Sequence, residues 1–483
     1  MQNKINYLTV AFACFIFFVS VFSSDGIDRH RKYSPNTLYL FDQPVKGCGY
    51  SVLEKDAEGG ADGTMEFRWL QKHLLSLIKV CAYETEKQFG STEFPLLIFD
   101  GCAENGDTPV DWEPKPSGRH PGESHDGGIN IDLGYYLNSL QGKVFTPDYS
   151  ACSNHFKNSL NGEIEDSWFC NDRADKLDTQ RMAYFYLKML QLNRSLFSKE
   201  LLSQIGADCF VKEEILKMLE EWLKEKKYGT DEELLEDFKR IVTCDEFEGW
   251  AKSHHHHTHI RLNDVEIYGN LKEAFESLYS MERKINYELL SKIENRKEVL
   301  TVKLLSTGLQ RALEAEILSE DNIKNVRFKI GEGEWCEPQK GDSRQKVYIN
   351  LESKISLERT PLKVTTQFVN SEGKLETLTK ELVLPKLDPR LFISFDPSQV
   401  TTKLSQVGDK LLVKIDYPKI SDALITEVYC EIATEKGVSR IDFDKITDSF
   451  IIPIDFDRTA IANLCIILCG RKSCRIPLYI KTN

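Results

Sequence analysis

Positive charge is scarce in this chain of 483 residues: 62 Lys and Arg stand against 75 Asp and Glu, a formal net of −13. Phosphate backbones demand a basic face, so this balance argues against a nucleic-acid partner, and an anionic membrane is an equally poor match. After the run from Leu8 to Phe22 there is no second long apolar stretch, which excludes stable membrane insertion further along. No spacing yields paired C-x-x-C zinc knuckles; Cys465, Cys469 and Cys474 are the closest set. Nor is there an internal repeat that a residue-by-residue match would defend.

What is present begins with MQNKINYLTVAFACFIFFVSVFSS, in which Lys4 precedes the apolar run and Ser23 and Ser24 follow it. The run is too short and too early for a membrane span, and its small-residue exit predicts a signal peptide, residues 1–23, with an uncleaved anchor as the alternative. Phe12 occupies the place where a lipoprotein Cys at Cys14 would want a small residue, which disfavours lipidation. The mature chain is therefore expected to be exported, to a periplasm or the extracellular space. Losing Lys4 takes the net charge to about −14.

Of 13 cysteines, Cys14 lies in the signal, and the even remainder in an exported chain reads first as disulfides. They divide into an odd group from Cys48 to Cys244 and an odd group from Cys336 to Cys474. Either one bridge crosses between the groups or each keeps a thiol.

About 460 mature residues suit about three domains. Residues 24–265 mix helices and short strands: Phe67, Leu70, Leu74, Ile78 and Cys81 recur at helical spacing, and FPLLIFD reads as a buried strand ending at Asp100. Further helices are expected from Asp178 to about Leu192, from Lys212 to Lys226 and over DEELLEDFKRIV. Residues 266–298 are charged and helical, a connecting helix. Beyond them VRFKIGEGEW, KVYINLESK, LKVTTQFVN, KLLVKIDYP and SFIIPIDF alternate in polarity between turn residues. That texture predicts antiparallel immunoglobulin-like β-sandwich modules at 299–386 and 387–483, divided near LPKLDPRL. The fold class expected is thus an α+β domain with a small antiparallel sheet, followed by two all-β modules.

Half of the ten histidines lie in SHHHHTHIRL, Ser253–Leu262. If this segment is extended, His255, His257, His259 and Arg261 share one face while Ile260 and Leu262 anchor the other. Upstream, in SHDGGINIDLGYY, His125 and Asp132 flank a Gly-Gly turn, and the strand INIDL puts Asn130 and Asp132 on one face. His125, Asp132 and one histidine of the His257-Thr258-His259 pair would supply two imidazoles and a carboxylate to Zn2+, leaving a fourth position for water. Zinc lowers the pKa of such a water to about 7. The other histidine of the pair is placed to move a proton or to stabilise an oxyanion. Arg261 would clamp a substrate carboxylate or make a structural ion pair. His120 is a loop residue that would contribute at most a substrate or outer contact. Tyr135 and Tyr136 read as half core and half surface.

H-x6-D followed far downstream by H-x-H resembles the lysostaphin, D-Ala-D-Ala peptidase and hedgehog group of zinc proteins. Within that group SHDGGINIDL and HHHTHIRL look most like the penicillin-insensitive murein endopeptidases, where S-H-Q-x-G-L-D-V-D-I and H-x-x-H-x-H-V-R-L occupy these places. The resemblance covers about residues 45–265. It implies zinc ligands His125, Asp132 and His259, a catalytic His257, and His254 assisting as base. The chain departs from the family at Gly122, where another His is usual, and at Asp126, where Gln is usual.

The function this implies is hydrolysis of D-alanyl cross-links between peptidoglycan peptide stems, with the β modules holding the enzyme on wall or envelope. Two alternatives remain open at this stage. One is a carboxypeptidase trimming stem peptides; the other is a hedgehog-like surface-binding protein whose zinc is structural.

Overall fold

In the computed structural model the described residues are 37–52, 67–111, 117–118, 125–143, 146–157, 168–170, 172–244, 254–263, 271–306, 311–338, 345–351, 360–385, 401–407, 410–416, 425–434, 437–443, 449–453, 461–468 and 472–479. The expected signal peptide and His120 lie outside them. They belong to two compact units, one within Thr37–Pro109 and Glu123–Leu391, the other within Val110–Gly122 and Phe392–Asn483. The chain is mixed α/β, with several antiparallel sheets.

In the larger unit, five helices carry the labels used below: α1 (Lys72–Phe89), α2 (Thr179–Phe197), α3 (Cys209–Glu225), α4 (Glu232–Ile241) and α5 (Lys272–Glu294). Their starts follow from local chemistry. Asp178, Asp208 and Asp231 each accept a backbone N–H of the first turn of α2, α3 and α4, satisfying a donor that the helix cannot. Leu74, Ile78 and Cys81 line the buried side of α1 as the helical spacing requires. Leu70, part of the same apparent period, sits instead in a strand, Trp69–Gln71. Among the described residues no helix is long and apolar enough to cross a membrane.

Six strands form the sheet that matters for the site, in the order Val242–Thr243, Leu202–Gly206, His257–Leu262, Asn130–Gly134, Leu96–Ile98, Tyr50–Val52. The two central strands run antiparallel, with His259 opposite Asp132, His257 opposite Gly134 and Arg261 opposite Asn130. One face is tied to the helices: the Tyr186 hydroxyl of α2 donates to Thr258 Oγ1 at 2.7 Å, and Thr258 donates on to the Gly206 carbonyl at 2.8 Å. Ile131, Leu133 and Ile260 are wholly buried.

Besides two short hairpin-like sheets, Gln141–Lys143 with Thr146–Asp148 and His155–Lys157 with Trp168–Cys170, this unit has two larger antiparallel sheets over one core. In one, Lys346–Asn350, Arg311–Ser319 and Glu298–Ser306 continue into Leu38–Leu40 and Trp69–Gln71, two short strands from the start of the chain. Lys324–Ile330, Thr360–Val369 and Leu375–Leu384 form the other. Leu38, Trp69, Leu300, Leu313, Phe328, Val364 and Phe368 pack in a single apolar cluster.

The second unit is described mainly by two antiparallel sheets. Thr401–Val407, Lys410–Asp416 and Ser449–Pro453 make one; Gly437–Phe443, Ile425–Thr434, Ile461–Leu468 and Lys472–Tyr479 make the other. In both units the first two strands of the set share a sheet with a later one, while the third strand pairs with the penultimate one.

One disulfide is described, Cys152–Cys170. Not every cysteine is oxidised as expected of an exported chain: Cys48, Cys81 and Cys102 are buried thiols, and burial pushes each thiol pKa up.

Candidate metal centre

Three elements converge on one buried point. His125 precedes a tight turn, Asp126–Gly128, in which Gly127 and Gly128 both have positive φ. At Gly128 a Cβ would stand 2.6 Å from Leu38 Cδ2 and 2.9 Å from the Gln71 amide nitrogen, so both conformation and space demand glycine. Asp126, where the family resemblance would expect Gln, accepts the Thr108 backbone N–H at 2.8 Å and so ties the turn to the preceding loop. The chain then enters Asn130–Gly134 directly, carrying Asp132 on the face shared with His257 and His259 of the neighbouring strand.

His125, Asp132 and His259 each offer a ligand atom, all within 4.8 Å of one another, and all three residues are buried. His125 Nε2 lies 3.3 Å from Asp132 Oδ2, and His259 Nδ1 lies 2.7 Å from Asp132 Oδ1. The outer contacts suit metal binding. The Gly101 carbonyl, 3.1 Å from His125 Nδ1, accepts that nitrogen's N–H and leaves Nε2, on the Asp132 side, as the nitrogen able to bind a metal. His259 donates its Nδ1–H to Asp132 Oδ1 at 2.7 Å, and its Nε2 lies 3.4 Å from Asn130 Oδ1.

Electrostatics point the same way. Burial alone would raise the Asp132 carboxyl, yet His125, then His257 and His259, hold it well below the ordinary carboxylate range. Burial lowers the His259 imidazole, with Asp132 opposing. An ionised carboxylate beside a neutral imidazole is the protonation state a cation requires. The set can hold a metal ion.

His257 stands beside the group, its Nε2 3.6 Å from Asp132 Oδ2. His254 lies in the turn before the strand, its ring centroid 4.8 Å from that of His257. Burial drives the His254 pKa down to about 3, partly offset by Asp132. Arg261 is partly buried one alternation further along the strand. His255 precedes the strand, which begins at His257, and so does not share its alternation.

Several contributors carry no motif. Tyr135, read as partly exposed, is buried, and its hydroxyl donates to the His254 carbonyl at 2.9 Å. Tyr136 is buried too and donates to the Gly49 carbonyl at 3.0 Å. The Phe99 ring lies against both His256 and His257, at 5.9 and 6.4 Å between centroids. For Asn130 the period-2 alternation with Asp132 was a usable signal.

No family model and no curated protein matches this chain. Among solved structures it is similar to the selenomethionine-substituted chicken interferon gamma receptor alpha chain, at a TM-score of 0.17 and 10% identity, over 36% of this chain and 93% of that one. A likeness of that size adds nothing to the strand topology described above.

Proposed function

We propose that the chain is an exported zinc metallopeptidase that hydrolyses D-alanyl peptide cross-links of bacterial peptidoglycan. The observation that supports this best is the convergence of His125, Asp132 and His259 with a further imidazole, His257, within 3.6 Å of the shared carboxylate. Zinc bound there would polarise a substrate carbonyl and lower the pKa of a water to about 7. The protein's own residues then divide the work. Gly101 accepts from His125 Nδ1 and fixes that imidazole's tautomer, while Asp132 and Asn130 orient the His259 ring. His257 Nε2 faces the site and takes or returns the proton of the reaction. His254, buried behind it, assists as base. In this reading the two strand sets are immunoglobulin-like sandwiches, their strand division being that of a Greek key, and they hold the enzyme on wall or envelope.

The proximity of His257 also favours a second reading. A third imidazole, taken as fourth ligand and closing the coordination, would make the metal structural, and the chain a surface-binding protein.

The test is zinc content together with muropeptide release from purified peptidoglycan, for wild type, His257→Ala and His259→Ala. We expect one zinc and cleaved cross-linked dimers for wild type, zinc without activity for His257→Ala, and loss of both for His259→Ala. Tight zinc with no muropeptide change in any sample would favour the structural metal.

A further inference from the structure

The family resemblance uses His254, His257 and His259 of the cluster and leaves His255 and His256 without a task. Their geometry is specific. His256 Nε2 lies 3.1 Å from His257 Nδ1, and His256 Nδ1 lies 3.3 Å from His255 Nδ1. The other nitrogen of His257, Nε2, is the one turned toward Asp132. The turn that carries these rings is held at two backbone points: the Tyr135 hydroxyl donates to the His254 carbonyl at 2.9 Å, and the Ala151 N–H donates to the His255 carbonyl at 2.7 Å, one residue from the Cys152–Cys170 disulfide. Phe99 packs on the rings of both His256 and His257, and its own N–H donates to the Asp132 carbonyl at 3.1 Å. The His256–His257 pair is thus registered to the carboxylate through backbone as well as side chains.

We propose that His256 is a positioning residue for His257: its Nε2 accepts the Nδ1–H of His257, which leaves His257 Nε2 as the lone-pair nitrogen facing Asp132. This rests on the peptidase reading for its purpose, although not for its geometry. Two opposite sets of neutral tautomers satisfy the chain, and the one proposed keeps the His257 lone pair on Nε2. His257 donates to His256, His256 donates from Nδ1 to His255, and His255 keeps its own proton on Nε2. It is the orienting service that a buried carboxylate or carbonyl gives to a catalytic imidazole elsewhere, supplied here by a second imidazole that adds no charge beside Asp132.

The test reads the His257 ring directly, by nitrogen-15 NMR of the full-length zinc-loaded protein labelled at histidine, alongside cross-link hydrolysis. In wild type the His257 resonances should report a proton on Nδ1; a proton on Nε2 would overturn the proposal without any variant. His256→Leu should lose that preference and lower kcat by about 10- to 100-fold at unchanged KM. His256→Gln, whose amide oxygen replaces the Nε2 acceptor, should restore both. Full zinc content in each variant shows that the fold is kept. An unchanged His257 tautomer in His256→Leu overturns the proposal. A tautomer change in a protein that hydrolyses no cross-link supports the positioning role and overturns the peptidase reading instead.

Discussion

Burial keeps two imidazoles neutral in this chain. His73 on α1 and His254 beside the site are both driven by desolvation from the ordinary 6.5 down to about 3, with Asp132 partly opposing at His254. In the unfolded chain each binds a proton below about pH 6.5 and in the folded chain only near pH 3, so the unfolded state holds more protons across that window. Stability therefore rises with pH between the two values and falls as pH drops through them. Replacing His73 by Leu removes one such group that is not a member of the candidate metal set. Urea titrations from pH 4 to 6 should show the slope of unfolding free energy against pH reduced by about 1.4 kcal/mol per pH unit. An unchanged slope would mean that His73 is already protonated in the fold.

At the scale of an element, the His257–Leu262 strand works because its two faces have different tasks. His257 and His259 face the centre, while Thr258, Ile260 and Leu262 are buried on the other side. Thr258 is the polar member of that buried row, accepting from Tyr186 and donating to Gly206. Thr258→Val preserves shape but strands the Tyr186 hydroxyl and the Gly206 carbonyl, and each unmade bond of that kind costs about 1–3 kcal/mol. A loss of about 2 kcal/mol or more is expected in denaturant unfolding, with metal stoichiometry at saturation unchanged because the other face is untouched. Loss of bound metal at saturation would instead mean that the strand has shifted register, since a one-residue slip exchanges the faces.

At the scale of the larger unit, the site-bearing sheet is not separable from the strands that follow it. Leu38–Leu40 and Trp69–Gln71 complete a sheet begun by Glu298–Ser306. Glu104 is buried against Arg311, with Arg311 Nε at 2.6 Å, and the same guanidinium reaches the Pro385 carbonyl at 3.0 Å. Glu282 on α5 lies within hydrogen-bond range of Ser76 on α1, at 2.7 Å, and of Lys303 at 2.6 Å. Burial alone would raise the Glu282 carboxyl, but Lys303 and Lys79 keep it ionised. A chain cut after residue 297 retains His125, Asp132, His254, His257 and His259, yet uncovers Leu38 and Trp69 and leaves Glu104 without its cation. Removing one partner of a buried pair costs about 3–5 kcal/mol. We expect such a chain to give no folded monomer by size-exclusion chromatography and near-ultraviolet circular dichroism. A monomer with a sharp thermal transition would show that the site-bearing part stands alone.

Much of this was legible locally, because alternation and helical spacing are properties of consecutive residues. The Gly-Gly turn after His125, the shared face of Asn130 and Asp132, and the anchoring of Ile260 and Leu262 all follow from the period of the backbone. The acidic balance and the absence of a second apolar run are equally independent of the fold. A strand of three residues such as Leu38–Leu40 has no period to display, and one of its two partners, Glu298–Ser306, lies more than 260 residues away. The recurrence of strand order in the two β sets is also topological, since no residue-level repeat carries it. What only tertiary structure decided is adjacency. It brought His259 opposite Asp132 across 127 residues of chain, set His256 against His257 ring to ring, and buried Tyr135 so that its hydroxyl could hold the His254 carbonyl. Those choices depend on strand register and on which buried polar groups must find partners, and both are settled by the packed whole.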